Sequence, residues 1–186
     1  MSDKFYQRKN SILSKLDKSS IGKWDKKIIG LCEKINSFEN YYTTSSCAGR
    51  VVLIINQDKK ESDLFLKVYH DLISFEELKK NLIELTKKNL SIKFKQESAI
   101  IHVACKNLKD AQRLYDKAKK VGWKKSGLIS WEKNFILELH STEKLEFPII
   151  DQKILVDDSF LKKIIKESNK NLKKGCNKIE KLKKLI

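Results

Sequence analysis

The sequence predicts an α+β protein: a mixed single fold over residues 1–186 with helical N- and C-termini. Three observations predict it. Apolar residues recur at helical spacing towards both ends of the chain, strands fill the middle in two strand–strand–helix passages that suggest a weak internal duplication, and no Pro-, Gly- or Ser-rich linker divides the 186 residues. All six glycines stand alone, so the glycine-rich turn of a Rossmann fold and the phosphate-binding P-loop are both absent.

Residues 4–16 and 24–36 read as two helices, the second with Trp24, Ile28, Leu31, Cys32 and Ile35 on one face. "VVLIIN" (51–56) and "LFLKVYH" (64–70) read as strands separated by the polar turn "QDKKESD". Ser74 then offers an N-cap, Glu77 its capping-box partner, and Ile73 with Leu78 a hydrophobic staple, for a helix reaching Asn89. "SIKFKQ" alternates as a half-buried strand does, and "AIIHVAC" (99–105) is a second apolar strand. Asn107 caps a helix with Leu108, Ala111, Leu114, Tyr115 and Ala118 inward, stopped by Gly122. "WEKNFILELH" (131–140) reads as a strand, Pro148 marks an edge or turn, and "KILV" (153–156) is a short last strand. From Asp158 the pattern is helical through Leu161, Ile165, Ser168, Leu172, Ile179, Leu182 and Ile186, with Gly175 positioned to divide it.

The 40 Lys and Arg residues outnumber the 24 Asp and Glu by 16, a surface suited to a polyanion, of which nucleic acid is the commonest. Only Arg8, Arg50 and Arg113 are arginines, so Arg50 stands out by type as a planar fork for carboxylates or phosphates. No apolar run approaches the roughly 20 residues that a membrane span needs. The N-terminus lacks the apolar centre of a signal peptide, and a cytoplasmic location is expected. Cys32, Cys47, Cys105 and Cys176 form no CxxC pair, which argues against a zinc site, so no metal is expected.

"YYTTSSCAGRVVLIIN" (41–56) is unlike the rest of the chain. Thr43, Thr44, Ser45, Ser46 and Cys47 supply groups that donate and accept, Gly49 permits positive φ or close approach, and Arg50 places a cation at the mouth of a strand. The plain alternative is an edge strand with a bulge, since Thr and Tyr favour strands.

"TTSSCAGR" resembles the Ser/Thr-x-Ser-Ser-Cys-x-Gly-Arg motif of the tRNA wybutosine-synthesis methyltransferase family. The likeness continues upstream through a Gly-x-x-Asp pattern ending at Asp25, and downstream through "LFLKVYHDLISFEELKK", "QESAIIHVACKNLKDAQRL" and "VGWKKSGL". The chain departs from the family at "KVYH", where Trp often precedes the histidine, and at "GWKKSG", where an aromatic and Arg are usual.

The resemblance implies a fold distinct from Rossmann methyltransferases, S-adenosyl-L-methionine as cofactor, and the anticodon loop of tRNA(Phe) as partner. The methyl acceptor would be N4 of 7-(3-amino-3-carboxypropyl)-4-demethylwyosine. The catalytic residues it implies are Asp25, Ser45, Ser46 and His102, with His70 as the second choice of histidine. Thr43, Ser45, Ser46, Cys47, Gly49 and Arg50 would bind the cofactor. Methyl transfer is an in-line displacement, so alignment and a group to accept the N4 proton are the main requirements. Arg50 suits a carboxylate, either the cofactor's or that of the substrate's aminocarboxypropyl arm. Tyr41, Tyr42 and Trp123 are candidates for stacking on unpaired bases, or else core residues.

His102, by its place in an apolar strand, also suits a satisfied core position, and His140 has no motif around it. Two other functions fit parts of the sequence. A non-catalytic basic RNA-binding protein needs only the charge and the mixed α and β pattern, and a cysteine hydrolase would use Cys47 with His102 as base.

Overall fold

The computed structural model describes residues 2–14, 25–57, 64–132 and 135–186. Trp24, the end of the first expected helix and nearly all of the "QDKKESD" turn lie outside the described residues. So do positions 133 and 134 of the expected 131–140 strand. The element order is α1 (Ser2–Leu13), α2 (Lys26–Ser37), β1 (Tyr41–Cys47), β2 (Arg50–Ile55), β3 (Phe65–Tyr69), α3 (Phe75–Thr86), β4 (Ile92–Glu97) and β5 (Ile100–Cys105). It continues with α4 (Leu108–Lys120), β6 (Gly127–Ser130), β7 (Phe135–His140), β8 (Leu145–Asp151), β9 (Lys153–Ile154) and α5 (Asp158–Leu185).

The chain forms two compact units, neither of them continuous in sequence. Unit one takes residues 1–48, 99–142 and 175–186; unit two takes 49–98 and 143–174. The backbone therefore passes from one to the other four times, which is why no linker is visible in the sequence.

Unit one holds an antiparallel sheet in the order β1-β5-β7-β6. Ile28, Leu31, Cys32 and Ile35 of α2 are buried with Ile101 and Val103 of β5, Leu137 and Leu139 of β7, and Ala111, Leu114 and Ala118 of α4. Trp123 is fully buried and donates its indole N–H to the Lys178 carbonyl (3.3 Å), so it belongs to the core. Tyr42 is also buried, beside Phe5 of α1 at 5.2 Å between ring centres. Leu108, expected inward, is 56% exposed because it opens α4 ahead of the buried stripe, whereas Asn107 accepts from the Asp110 N–H as an N-cap should.

Unit two holds a second antiparallel sheet, β3-β2-β4-β8-β9. Ser74 accepts from the Glu77 N–H at 3.1 Å, and Ile73 and Leu78 are buried in one cluster, so the expected start of α3 is present. The Asn169 side-chain amide clasps both the N–H and the carbonyl of Ile73. Buried Gln96 is satisfied by the carbonyls of Glu97 and Glu143 and by the Asn171 amide. Pro148 lies at the register irregularity between β4 and β8, where the missing N–H breaks no regular ladder.

Two expectations are corrected. The two strand–strand–helix passages are not a structural repeat: β2 and β3 share a sheet, but β4 and β5 belong to different ones. Helix α5 runs unbroken through Gly175, whose intrinsic cost of about 1 kcal/mol is small against a long helix buried at Leu161, Leu172, Ile179 and Leu182.

Candidate active site

Strand β1 carries the Thr/Ser-rich motif along the edge of the unit-one sheet, so the edge-strand reading describes its position. Its pairing with β5 slips by one residue: Thr43 faces Val103 and Ser45 faces His102, leaving Thr44 as the extra residue of a bulge. The slip decides which side chains meet. Alternation alone would put Thr43 and Ser45 on the same face. With the bulge, Thr43 lies on the core side, buried, its N–H and hydroxyl bonded to the Asn36 side chain of α2, while Ser45 emerges on the opposite face.

On that opposite face Ser45 Oγ lies 2.9 Å from His102 Nδ1, and His102 Nε2 lies 2.9 Å from Glu138 Oε2. The three residues are direct register partners on β1, β5 and β7, one row across three strands. His140 follows in the next row with Cys47 and Ile100, its Nδ1 3.4 Å from Glu138 Oε1. The His102 and Glu138 side chains are 29% and 25% exposed, so His102 is not a core histidine but a reachable one. Glu138 was not legible as a site residue, because only its register opposite His102 singles it out.

The neighbouring serine does something else. Ser46 pairs with Ile101, on the core face, and its hydroxyl bonds the Cys32 thiol. Burial first, then the nearby Glu33 and Asp25 charges, push that thiol up to about 11 despite the bond. Cys47 shares the Ser45 face, but both ring nitrogens of His102 are taken by Ser45 and Glu138. The geometry therefore commits His102, the base of the cysteine-hydrolase reading, to other partners.

Asp25 is the N-cap of α2. One carboxylate oxygen accepts the Lys27 N–H at 3.1 Å and the other accepts the Ala48 N–H at 3.2 Å. It thus joins the start of α2 to the end of the motif strand. Gly49 follows at φ +97°, the left-handed turn that carries the backbone out of one sheet and into the other.

Arg50 and His70 belong to unit two. Arg50 Nε lies 2.7 Å from Glu97 Oε2, its cross-strand partner, and the guanidinium sits 4.9 Å from the centre of the Phe65 ring. Burial would raise the Glu97 carboxyl, but Arg50 and Lys95 outweigh it and hold it below the ordinary range. His70 follows β3 and is partly buried. His102 is brought into contact with a motif serine.

Residues 7–186 match the family described as Methyltransferase TYW3. The chain is 32% identical over 183 residues to the tRNA(Phe) 7-((3-amino-3-carboxypropyl)-4-demethylwyosine(37)-N(4))-methyltransferase of Archaeoglobus fulgidus, covering 96% of this chain and 91% of that one. It is 37% identical over 172 residues to the protein of the same name from Methanocaldococcus jannaschii, covering 86% and 88%. The solved structure of PH1069 protein from Pyrococcus horikoshii superposes with a TM-score of 0.86 at 31% identity, covering 98% of this chain and 96% of that one.

Proposed function

The chain belongs to the Methyltransferase TYW3 family, and from that premise we propose that it methylates N4 of 7-(3-amino-3-carboxypropyl)-4-demethylwyosine beside the anticodon of tRNA(Phe). We take S-adenosyl-L-methionine to be the methyl donor and the 186 residues to act as one methyltransferase domain. The observation that carries the reading is the contact between Ser45 of the family motif and His102, 2.9 Å long and reachable from solvent.

N4 must lose a proton as it gains a methyl group. The Ser45 hydroxyl is placed to accept that proton while passing its own to His102 Nδ1, which makes the pair the general base. Asp25 has both carboxylate oxygens committed to backbone N–H groups, which supports a positioning role for it rather than a base role. Ser46 and Thr43, bonded to Cys32 and Asn36 on the core face, are read as supports of the strand.

Each unit offers groups suited to a zwitterionic donor without a glycine-rich loop. In unit one the hydroxyls of Thr44 and Ser45 lie on the exposed side of the motif strand. In unit two Glu97 orients Arg50 through Nε, so the terminal nitrogens are the ones to meet a carboxylate. When bound, S-adenosyl-L-methionine supplies an electrophilic methyl group on a sulfonium. The excess of 16 positive charges suits tRNA as the partner. No described helix is long and apolar enough to cross a membrane, and we place the protein in the cytoplasm with its substrate.

Incubation of the protein with S-adenosyl-L-methionine and tRNA(Phe) bearing the demethylated precursor, followed by mass spectrometry of the nucleosides, tests the reading. A gain of one methyl group on the modified guanosine is expected. Tight tRNA binding with no mass change and no calorimetric binding of S-adenosyl-L-methionine would leave the non-catalytic RNA-binding protein as the better account.

A further inference from the structure

We propose that Glu138 is a positioning residue for this reaction, fixing the ring of His102 in the one tautomer that lets Nδ1 take a proton from Ser45. The inference rests on the function proposed above. A carboxylate only accepts hydrogen bonds, so the nitrogen 2.9 Å from Glu138 Oε2, His102 Nε2, must carry the proton. In the neutral ring Nδ1 is then the lone pair, and the Ser45 hydroxyl, 2.9 Å away, must donate to it. The opposite tautomer would aim a lone pair at the carboxylate and leave a ring N–H facing the serine.

The row explains why three residues so far apart in sequence hold this geometry. Ser45, His102 and Glu138 are register partners on adjacent strands, so the backbone ladder sets their spacing. The row ends at Gly127 of β6, where a side chain is lacking and an added Cβ meets nothing within 4 Å. The second carboxylate oxygen lies 3.4 Å from His140 Nδ1, so the carboxylate is held from two sides.

As the N4–methyl bond forms and the sulfonium carbon–sulfur bond breaks, the N4 proton moves to Ser45 Oγ and the Ser45 proton to His102 Nδ1. His102 becomes an imidazolium beside the Glu138 carboxylate, which stabilises that charge, and later returns the proton to water.

Long-range proton–nitrogen NMR of histidine-labelled protein reads the tautomer directly, with His102→Gln assigning the signal among three histidines. We expect the wild-type His102 ring to carry its proton on Nε2, and Glu138→Gln to give a mixture of both forms. In methyl transfer Glu138→Gln is expected to lower kcat by about 10- to 100-fold, less than loss of the base itself, with KM changed far less. Glu138→Asp, which keeps a carboxylate, should recover part of the rate and the single tautomer. A His102 tautomer unchanged by Glu138→Gln overturns the proposal even if no methyl transfer is ever detected. A mixed tautomer with unchanged kcat overturns it as well, while an inactive wild-type protein with the expected tautomer shift condemns only the assigned reaction.

Discussion

Replacing Asp25 separates two roles that the family motif alone leaves merged. If its carboxylate is the base, Asp25→Asn should be inactive and as stable as the parent. If it is a clamp, stability must fall, because each oxygen holds a different backbone N–H. Asp25→Ala removes an N-cap, at about 1 kcal/mol. It also strands the N–H of Ala48, a residue only 2% exposed, at about 1–3 kcal/mol for an unsatisfied buried donor. The two losses fall on different oxygens and together give roughly 2–4 kcal/mol. At about 2–4 °C per kcal/mol for a chain of this size, Tm should drop by roughly 5–15 °C. Asn caps as well as Asp, so Asp25→Asn keeps the Lys27 bond and turns its amide hydrogens on the Ala48 N–H, losing only the second contribution. Differential scanning calorimetry orders the three proteins: wild type, then Asn, then Ala. Melting of both variants within about 1 °C of wild type, with activity abolished in each, would refute the clamp and restore Asp25 as a base.

His102→Ala should lose about 10²–10⁴-fold in kcat with little change in Tm, since the ring is part-exposed; circular dichroism and single-turnover methylation check this together. Arg50→Ala should lower stability at neutral pH and not in strong acid. Glu97 has its folded pKa depressed, so its contribution is complete above its unfolded value and is lost as pH falls through the lower folded one. Urea titrations from pH 7 to pH 3 should show the wild-type advantage shrinking towards zero, and a constant difference would deny the ion pair that role. For tRNA, filter binding across a salt series should show a steep fall in affinity. Lys80→Ala, Lys87→Ala and Lys88→Ala should each reduce the slope by about 1 where the residue meets a phosphate. Lys79 makes a poorer probe because it is paired with Asp158, and an affinity insensitive to salt would reduce the basic surface to a solvated bystander.

Local chemistry was legible in the sequence wherever one side chain decides a local structure. Ser74 and Asn107 cap the helices they were expected to cap, and Gly122 takes the positive φ (95°) that stops α4. The alternating "SIKFKQ" became β4 and "AIIHVAC" became β5. Partnership between strands was not legible. The four residues of β6 are too few for a period to show, and nothing in "QESAIIH" says that its two strands part into different sheets. Gly175 failed as a breaker because its penalty is local, whereas the burial that maintains α5 is spread over many turns.

The site divides along the same line. Residue types were readable and their faces were not, because a face depends on register and register on a bulge that no pattern announces. "TTSSC" lists five apparently equivalent hydrogen-bonding side chains. One extra residue at Thr44 sorts them: Thr43 and Ser46 turn to α2, bonding Asn36 and Cys32, while Ser45 turns to His102. Straightening this bulge with Thr44 kept in the ladder would shift Thr44, Thr43 and Tyr42 one place along β5, opposite Val103, Ala104 and Cys105, and reverse the faces that Thr43 and Tyr42 occupy. It would bring a tyrosine against Cys105 on the core side and expose the polar partner of Asn36. The bulge is therefore held by the core on one side of the strand, and that hold fixes the serine on the other.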